Sequence, residues 1–279
     1  MMHLVLISGL SGSGKSIALN VLEDAGYYCI DNLPANLLPE TIRFLSEHGY
    51  DKAGISVDAR SGESFLELPD LVTELRKQVD LRVIFLESKI ETLVRRFSET
   101  RRRHTLSSDT RSLREAIVHE RDLLGDIAEL GQRIDTSDLS TNSLRAWIKD
   151  IIALENASFT LLFTSFGFKH GIPLDADLVF DVRCLPNPHW EPRLRPLTGR
   201  DAEVAHFLEN HFEVNRMFEQ VSDFLENWLP QFAADNRSYM TVAIGCTGGQ
   251  HRSVFFVERL SKHFQHQGVS VLPRHRELS

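Results

Sequence analysis

Leu4-Val-Leu-Ile-Ser-Gly-Leu-Ser-Gly-Ser-Gly-Lys-Ser16 decides the fold of the first half of this chain. A short apolar run leads into Gly9-x4-Gly14-Lys15-Ser16, a complete P-loop pattern between an expected strand and an expected helix. Glycines let main-chain N–H groups close around phosphate oxygens, and the helix that follows presents its positive end to them. Gly9, Leu10, Ser11, Gly12, Ser13, Gly14, Lys15 and Ser16 are therefore the expected nucleotide cradle. In it Lys15 reaches the β- and γ-phosphates and Ser16 ligates Mg²⁺.

The segments that follow alternate in character. Ile17, Val21 and Leu22 share one face of a helix over 17–25, which Gly26 is placed to end. Strands are expected at Tyr27–Asp31, Ala53–Asp58 and Leu81–Glu87, with helices at about 37–48 and 64–78. Short apolar strands alternating with longer helices imply an α/β domain with a mostly parallel sheet covered on both faces. Asp31 and Asp58 close two of those strands, and either could hold the Mg²⁺-bound water. Asp58 is preferred, while turn formation or strand capping explains each acid equally simply.

The run Arg95–His104 follows the third of these strands. Arginine offers a planar fork of donors suited to phosphate, so at least one of Arg101, Arg102 and Arg103 is expected at the nucleotide; a solvated helix face is the competing account. Residues 109–132 read as a charged helical lid, and Ile134–Ser137 as a return strand with Asp135 or its neighbours near the base. A P-loop does not by itself establish turnover, because no acceptor or positioned water is evident from these residues.

A helix over 141–154 closes the first domain, giving expected domains of 1–152 and 156–279. The second opens with the strand Phe159–Thr164 and the loop Ser165-Phe-Gly-Phe-Lys-His-Gly171. Another strand is expected at Leu178–Arg183, helices within 202–228, and a central strand at 240–245. That strand runs into Gly245-Cys-Thr-Gly-Gly-Gln-His-Arg-Ser253, a second glycine-rich turn at a helix start, without the lysine. Cys246-x5-Arg252 has cysteine-phosphatase spacing, but noncatalytic binding of a phosphate or sugar phosphate, or a merely packed cysteine, also fits. Lys169, His170, His189, His251 and Arg252 are the side chains expected to converge there.

Composition sets outer limits. The net charge is −8; residues 1–152 hold 19 basic and 24 acidic side chains and the remainder 12 and 15, so neither half coats nucleic acid nonspecifically. From His251 to Arg276, however, Arg252, Arg259, Lys262, Arg274 and Arg276 face one acid, Glu258, a local pattern suited either to an RNA backbone or to a solvated terminal helix. Cys29, Cys184 and Cys246 have no metal or disulfide spacing, no stretch reaches the roughly 20 apolar residues of a membrane span, and the start lacks a leader pattern. A cytoplasmic protein with no membrane partner is expected.

Taken together the motifs resemble the RapZ/YvcJ family over essentially the whole chain. Those carrying the resemblance are Gly9–Ser16, Asp31-Asn-Leu-Pro34, Val57-Asp-Ala-Arg60, Thr100-Arg-Arg-Arg-His104, Ser165–Gly171, Asp181-Val-Arg-Cys-Leu-Pro-Asn-Pro188 and Gly245–Ser253. The resemblance implies a kinase-like P-loop domain binding ATP or GTP with Mg²⁺, and a C-terminal α/β domain related to a subdomain of sugar-phosphate enzymes. It implies that the second domain binds a small regulatory RNA and senses glucosamine-6-phosphate, presenting the RNA to RNase E and so limiting amino-sugar synthesis. Two-component-system proteins are further implied partners, and a homo-oligomer the implied state. By the same resemblance Lys169, His170, His189, Cys246, Thr247, Gly248, Gly249 and Arg252 form the metabolite pocket. Arg259, Lys262, Arg274 and Arg276 are the expected RNA contacts, although the tail Pro273–Ser279 is less basic than in enterobacterial members. A small-molecule kinase or NTPase is the alternative.

Overall fold

His3–Gly9 forms β1, and six of its seven residues are buried, which is why the stretch reads as an unbroken apolar run and not as an alternating one. The computed structural model describes residues 2–58, 67–100, 103–107, 111–153, 159–234, 239–267 and 269–278. It divides into two compact units, Met1–Ala153 and Leu154–Ser279.

In the first unit β1 is flanked by β3 (Lys52–Ser56) and β4 (Asp80–Glu87), with β2 (Tyr28–Ile30) and β5 (Gln132–Asp135) outside them. The order is β2-β3-β1-β4-β5 and each pairing is parallel; Leu6 sits between Ile55 and Val83. Helices carry the crossovers. In α1 (Lys15–Asp24) Ala18, Leu19, Val21 and Leu22 are buried, and in α2 (Leu38–Glu47) Leu38, Ile42 and Leu45 are. Leu68, Val72 and Leu75 of α3 (Leu68–Leu75) repeat that spacing and join the same core as β1 and β3.

Within the charged stretch read as helical over 109–132 lie α5 (Leu113–Leu123) and α6 (Gly125–Ala128), with β5 beginning at Gln132. Ser112 starts α5 through a capping box: its Oγ accepts from the Glu115 amide at 3.3 Å while the Glu115 carboxylate accepts from the Ser112 amide at 2.8 Å. The return strand ends two residues earlier than expected, which leaves Thr136 and Ser137 in the turn beyond it. Helices α4 (Ile90–Thr100) and α7 (Thr141–Ala153) complete the unit.

The second unit holds β6 (Thr160–Gly167), β7 (Leu178–Asp181), β8 (Tyr239–Cys246) and β9 (Ser270–His275) in the order β7-β8-β6-β9, again all parallel. Every residue of β6 is buried, and seven of the eight in β8 are. Helix α10 (Arg252–His266) covers this sheet with Phe256, Leu260 and Phe264. The helical stretch expected at 202–228 is two helices, α8 (Ala202–Glu209) and α9 (Phe212–Ala234), the second running through Pro230. Among the described residues no helix is long and apolar enough to cross a membrane.

Parallel strands bring their carboxyl ends to one edge of each sheet, where ligand loops of open α/β folds lie. Both glycine-rich turns singled out in the sequence, after β1 and after β8, occupy that edge of their own unit.

Candidate functional site

Gly9 ends β1 with φ of 136°, and a Cβ there would lie 2.0 Å from the Leu86 carbonyl oxygen on β4. The chain therefore turns out of the sheet at a point where only glycine fits both the backbone angle and the space. Gly12 and Gly14 are also at positive φ. The loop they form opens onto a cavity of about 530 Å³, lined by residues Ser11–Ile17 together with Asp31, Asn32, Asp58, Arg96, Arg103, Thr136 and Ser140, among others.

Lys15 Nζ donates to the Gly9 carbonyl at 2.7 Å, so the ammonium rests on its own loop beside the cavity. Ser16 lies in the first turn of α1 on the cavity wall, and Asp58, 2% exposed, lies just past the end of β3 on the same wall. Glycines without side chains, a lysine, a hydroxyl and a strand-end carboxylate fit a Mg²⁺–nucleotide. Among the described residues no cluster of three or more His, Cys, Asp or Glu marks a separate metal site. Asp31 also lines the cavity; Ser56 Oγ donates to it at 2.5 Å and accepts from the Asn32 amide at 2.8 Å, which fixes the β2 turn. Arg103 lines the cavity, whereas Arg101 and Arg102 lie outside the described residues.

Arg96, Thr136 and Glu120 hold the loop in shape, Thr136 being the neighbour of Asp135 that reaches it. Arg96 on α4 donates to the Gly12 carbonyl at 3.0 Å and to the Thr136 carbonyl at 2.6 Å. Thr136 Oγ1 donates to the Ser13 carbonyl at 2.9 Å, tying the P-loop to the turn after β5. From α5, Glu120 Oε2 accepts from the Ser11 amide at 2.8 Å and lies 3.2 Å from His104 Nε2, while its Oε1 accepts from the Ser11 hydroxyl at 2.7 Å. Burial alone would raise the Glu120 pKa; hydrogen bonds from His104 and Ser11, aided by the Lys15 charge, reverse that and hold it below its ordinary value. Asp135 turns back to accept from the Ser137 amide at 2.9 Å, and it is Thr136, Ser140 and Thr141 that face the cavity from this side. The sequence signal for Arg96 is its place in α4 directly before the buried Phe97.

In the second unit Cys246 ends β8 within the hydrophobic core, 3% exposed. Its sulfur accepts from the Gly249 amide at 3.2 Å and lies 3.1 Å from Ser253 Oγ. Arg252, also 3% exposed, donates to the carbonyls of Arg183 at 2.8 Å and Leu185 at 2.9 Å and approaches Thr247 Oγ1 at 3.4 Å. Burial lowers the Arg252 pKa, offset in part by Cys246, Cys184 and Asp181. The guanidinium thus pins the segment after β7 onto the loop while lining, with Thr247, Arg183, Asn187 and Trp190, an open cavity of about 430 Å³.

The expected pocket residues are only partly brought together. Lys169 joins the loop: its amide donates to the Thr247 carbonyl at 3.3 Å, and its Nζ would lie 3.9 Å from a Cβ on Gly248. His170 and His189 are exposed and do not line that cavity. His251 is buried with Nε2 3.2 Å from the Leu194 carbonyl, and burial is the first cause lowering its pKa. Arg183 was overlooked as a site residue; it lies 3.8 Å over the Phe168 ring and forms an ion pair with Asp181 at 2.6 Å. The Asp181-x-Arg183 spacing was its signal.

The expected RNA contacts differ among themselves. Lys262 is exposed. Arg259 is turned onto α9, donating to Asn215 Oδ1 at 2.8 Å and stacking 4.0 Å over Phe218. Arg274 and Arg276 are half-buried, each with a buried Nη1. The His251–Arg276 segment is therefore a docked helix and strand with one open lysine among these four, not a continuous basic stripe.

Residues 2–156 match the RapZ-like N-terminal domain and residues 159–279 match the RapZ C-terminal domain. A nucleotide-binding protein of Thiobacillus denitrificans is 61% identical over 279 residues, spanning 100% of both chains. Nucleotide-binding proteins of Methylobacillus flagellatus (58% identical, 99% of each chain) and Aromatoleum aromaticum (62% identical, 99% of this chain and 94% of that one) are similar over the same length. The chain belongs to the RapZ-like family.

Proposed function

We propose that this RapZ-like protein is a nucleotide-binding RNase adapter, which binds ATP or GTP in its first unit and glucosamine-6-phosphate and a small regulatory RNA in its second. The observation carrying this reading is that each unit places a glycine-rich, anion-adapted loop at the carboxyl edge of its own parallel sheet. In the first, loop amides receive the phosphates and Lys15 moves from the Gly9 carbonyl to the β- and γ-oxygens. Ser16 would ligate Mg²⁺ and Asp58 would hold a Mg²⁺-bound water, the ion neutralising phosphate charge when bound. In the second, the Thr247 and Gly248 amides with Lys169 and Arg252 receive the sugar phosphate, with Cys246 and Gly249 shaping the turn and His170 and His189 as further proposed contacts. Burial of Cys246 within the core favours binding over nucleophilic use of that cysteine. The bound RNA is then presented to RNase E, with Lys262 the most open of the proposed phosphate contacts. Two-component-system proteins are further proposed partners.

A filter-binding titration over increasing salt tests the RNA part. Each phosphate contact steepens the fall of affinity, by a slope of about 0.7 for single strands. A structured small RNA bound more tightly than unrelated RNA of equal length, with affinity shifted by glucosamine-6-phosphate, is the expected result; equal binding of both RNAs removes the adapter reading. A second reading, small-molecule kinase or NTPase, draws on Asp31 and Asn32 lining the same cavity as Lys15. Multiple-turnover phosphate transfer that Lys15→Ala abolishes would favour it.

A further inference from the structure

The C-terminal tail reaches the second anion loop. Strand β9 pairs with β6, and the pairing continues past its end, where the Arg276 amide donates to the Ser165 carbonyl at 3.1 Å. His275, nearly buried, anchors the turn: its Nδ1 lies 2.8 Å from Ser165 Oγ and its Nε2 3.1 Å from Glu258, which also pairs with Arg200 at 2.7 Å. Two residues beyond this latch, Glu277 lies against the bare face of Gly249. A Cβ on Gly249 would be 2.2 Å from Glu277 Oε2 and 2.7 Å from its Cδ.

Gly249 has a φ of +75°, so the loop needs glycine there for its backbone angle, and the missing side chain leaves the room that the carboxylate fills. The loop is short. An anion gathered by the amides of Thr247 and Gly248, next to Gly249 in the turn, sits within a few ångströms of whatever touches Gly249, and two like charges at that separation in a half-buried setting oppose each other strongly.

We propose that Glu277 is a built-in anion that antagonises ligand binding at the Cys246–Arg252 loop, so that loading the loop with a phosphate and docking the tail oppose one another. This rests on the loop being an anion site, as argued above. Because coupling is reciprocal, whatever the tail costs the ligand, the ligand costs the tail. A sugar phosphate in the loop then loosens Arg274–Glu277, placing the two tail arginines under the control of the metabolite.

Calorimetry on the full-length chain, with inorganic phosphate and with glucosamine-6-phosphate, tests this. Glu277→Gln removes the charge with little change of shape and should bind both anions roughly tenfold more tightly than wild type; Glu203→Gln, the same charge change on an exposed α8 position, should stay within about twofold. In the unaltered protein, saturating glucosamine-6-phosphate should speed hydrogen exchange at the Arg276 amide, a readout that needs no variant. Wild-type binding that Glu277→Gln leaves equal or weaker, with exchange at Arg276 unchanged by ligand, overturns the antagonism while the loop stands as an anion site. Failure of wild type and variant alike to bind either anion overturns both.

Discussion

Replacing Glu120 by alanine should destabilise the first unit by about 3–5 kcal/mol, the summed cost of leaving the buried Ser11 and His104 groups without their acceptor. The side chain is fully buried and accepts from the Ser11 amide (2.8 Å) and the Ser11 hydroxyl (2.7 Å), with His104 Nε2 at 3.2 Å. Alanine strands those buried polar groups, at about 1–3 kcal/mol for each group left without a partner, and only partial collapse of the site offsets it. Glu120→Gln keeps the shape and part of the bonding, so about half the loss is expected. Urea unfolding followed by tryptophan fluorescence isolates the unit: Trp147 on α7 is 6% exposed, whereas Trp190 and Trp228 of the second unit are 78% and 52% exposed and change environment less. At ordinary denaturant slopes the midpoint should fall by about 1 M or more. The pH dependence has a definite sign. Because the folded pKa of Glu120 lies below its ordinary value, its stabilisation is complete above the unfolded value of about 4.3 and fades as pH drops through the folded one. The gap between wild type and Glu120→Ala should therefore shrink below about pH 4.3. A midpoint within about 0.2 M of wild type at pH 7 would refute the reasoning.

Gly9→Ala should cost more than about 3 kcal/mol, since the added Cβ meets the β4 backbone and the φ is unfavourable; Gly26→Ala, at positive φ in open space, should cost only about 1–2 kcal/mol in the same urea assay. Glu258 is held at about 2, first by its hydrogen bond with His275 against the opposing effect of burial, and then by Arg200. Its contribution to the second unit should be intact above the unfolded value of about 4.3 and lost as pH falls toward 2. In thermal unfolding followed by circular dichroism, Glu258→Gln should flatten part of the wild-type decline across that window, and parallel declines would contradict the assignment.

Much of the first unit was legible because the thirteen residues Leu4–Ser16 carry both fold and site: a strand buried on both faces has to be apolar throughout, and the glycines behind it announce the backbone geometry. The loop after β8 was legible for the same reason. What stayed hidden depends on tertiary contact. Nothing local distinguishes Glu120 from the other acids of a charged helix, and its meaning comes only when α5 folds over Ser11. The sequence around Arg259 shows a local basic pattern but not the contacts the side chain makes with Asn215 and Phe218 on α9. Glu277 is likewise an ordinary tail acid until β9 pairs with β6 and sets it against Gly249.

Calorimetric titration of one full-length chain with ATP or GTP and with glucosamine-6-phosphate, repeated in Lys15→Ala and Arg252→Ala, bears most directly on the presence of two separate anion receptors. Each variant should lose at least tenfold affinity for one ligand, nucleotide for Lys15→Ala and sugar phosphate for Arg252→Ala, because each removes a charged contact of about 1.5–3 kcal/mol. Loss of both ligands in either variant, or unchanged binding in both, would contradict the assignment of one receptor to each unit.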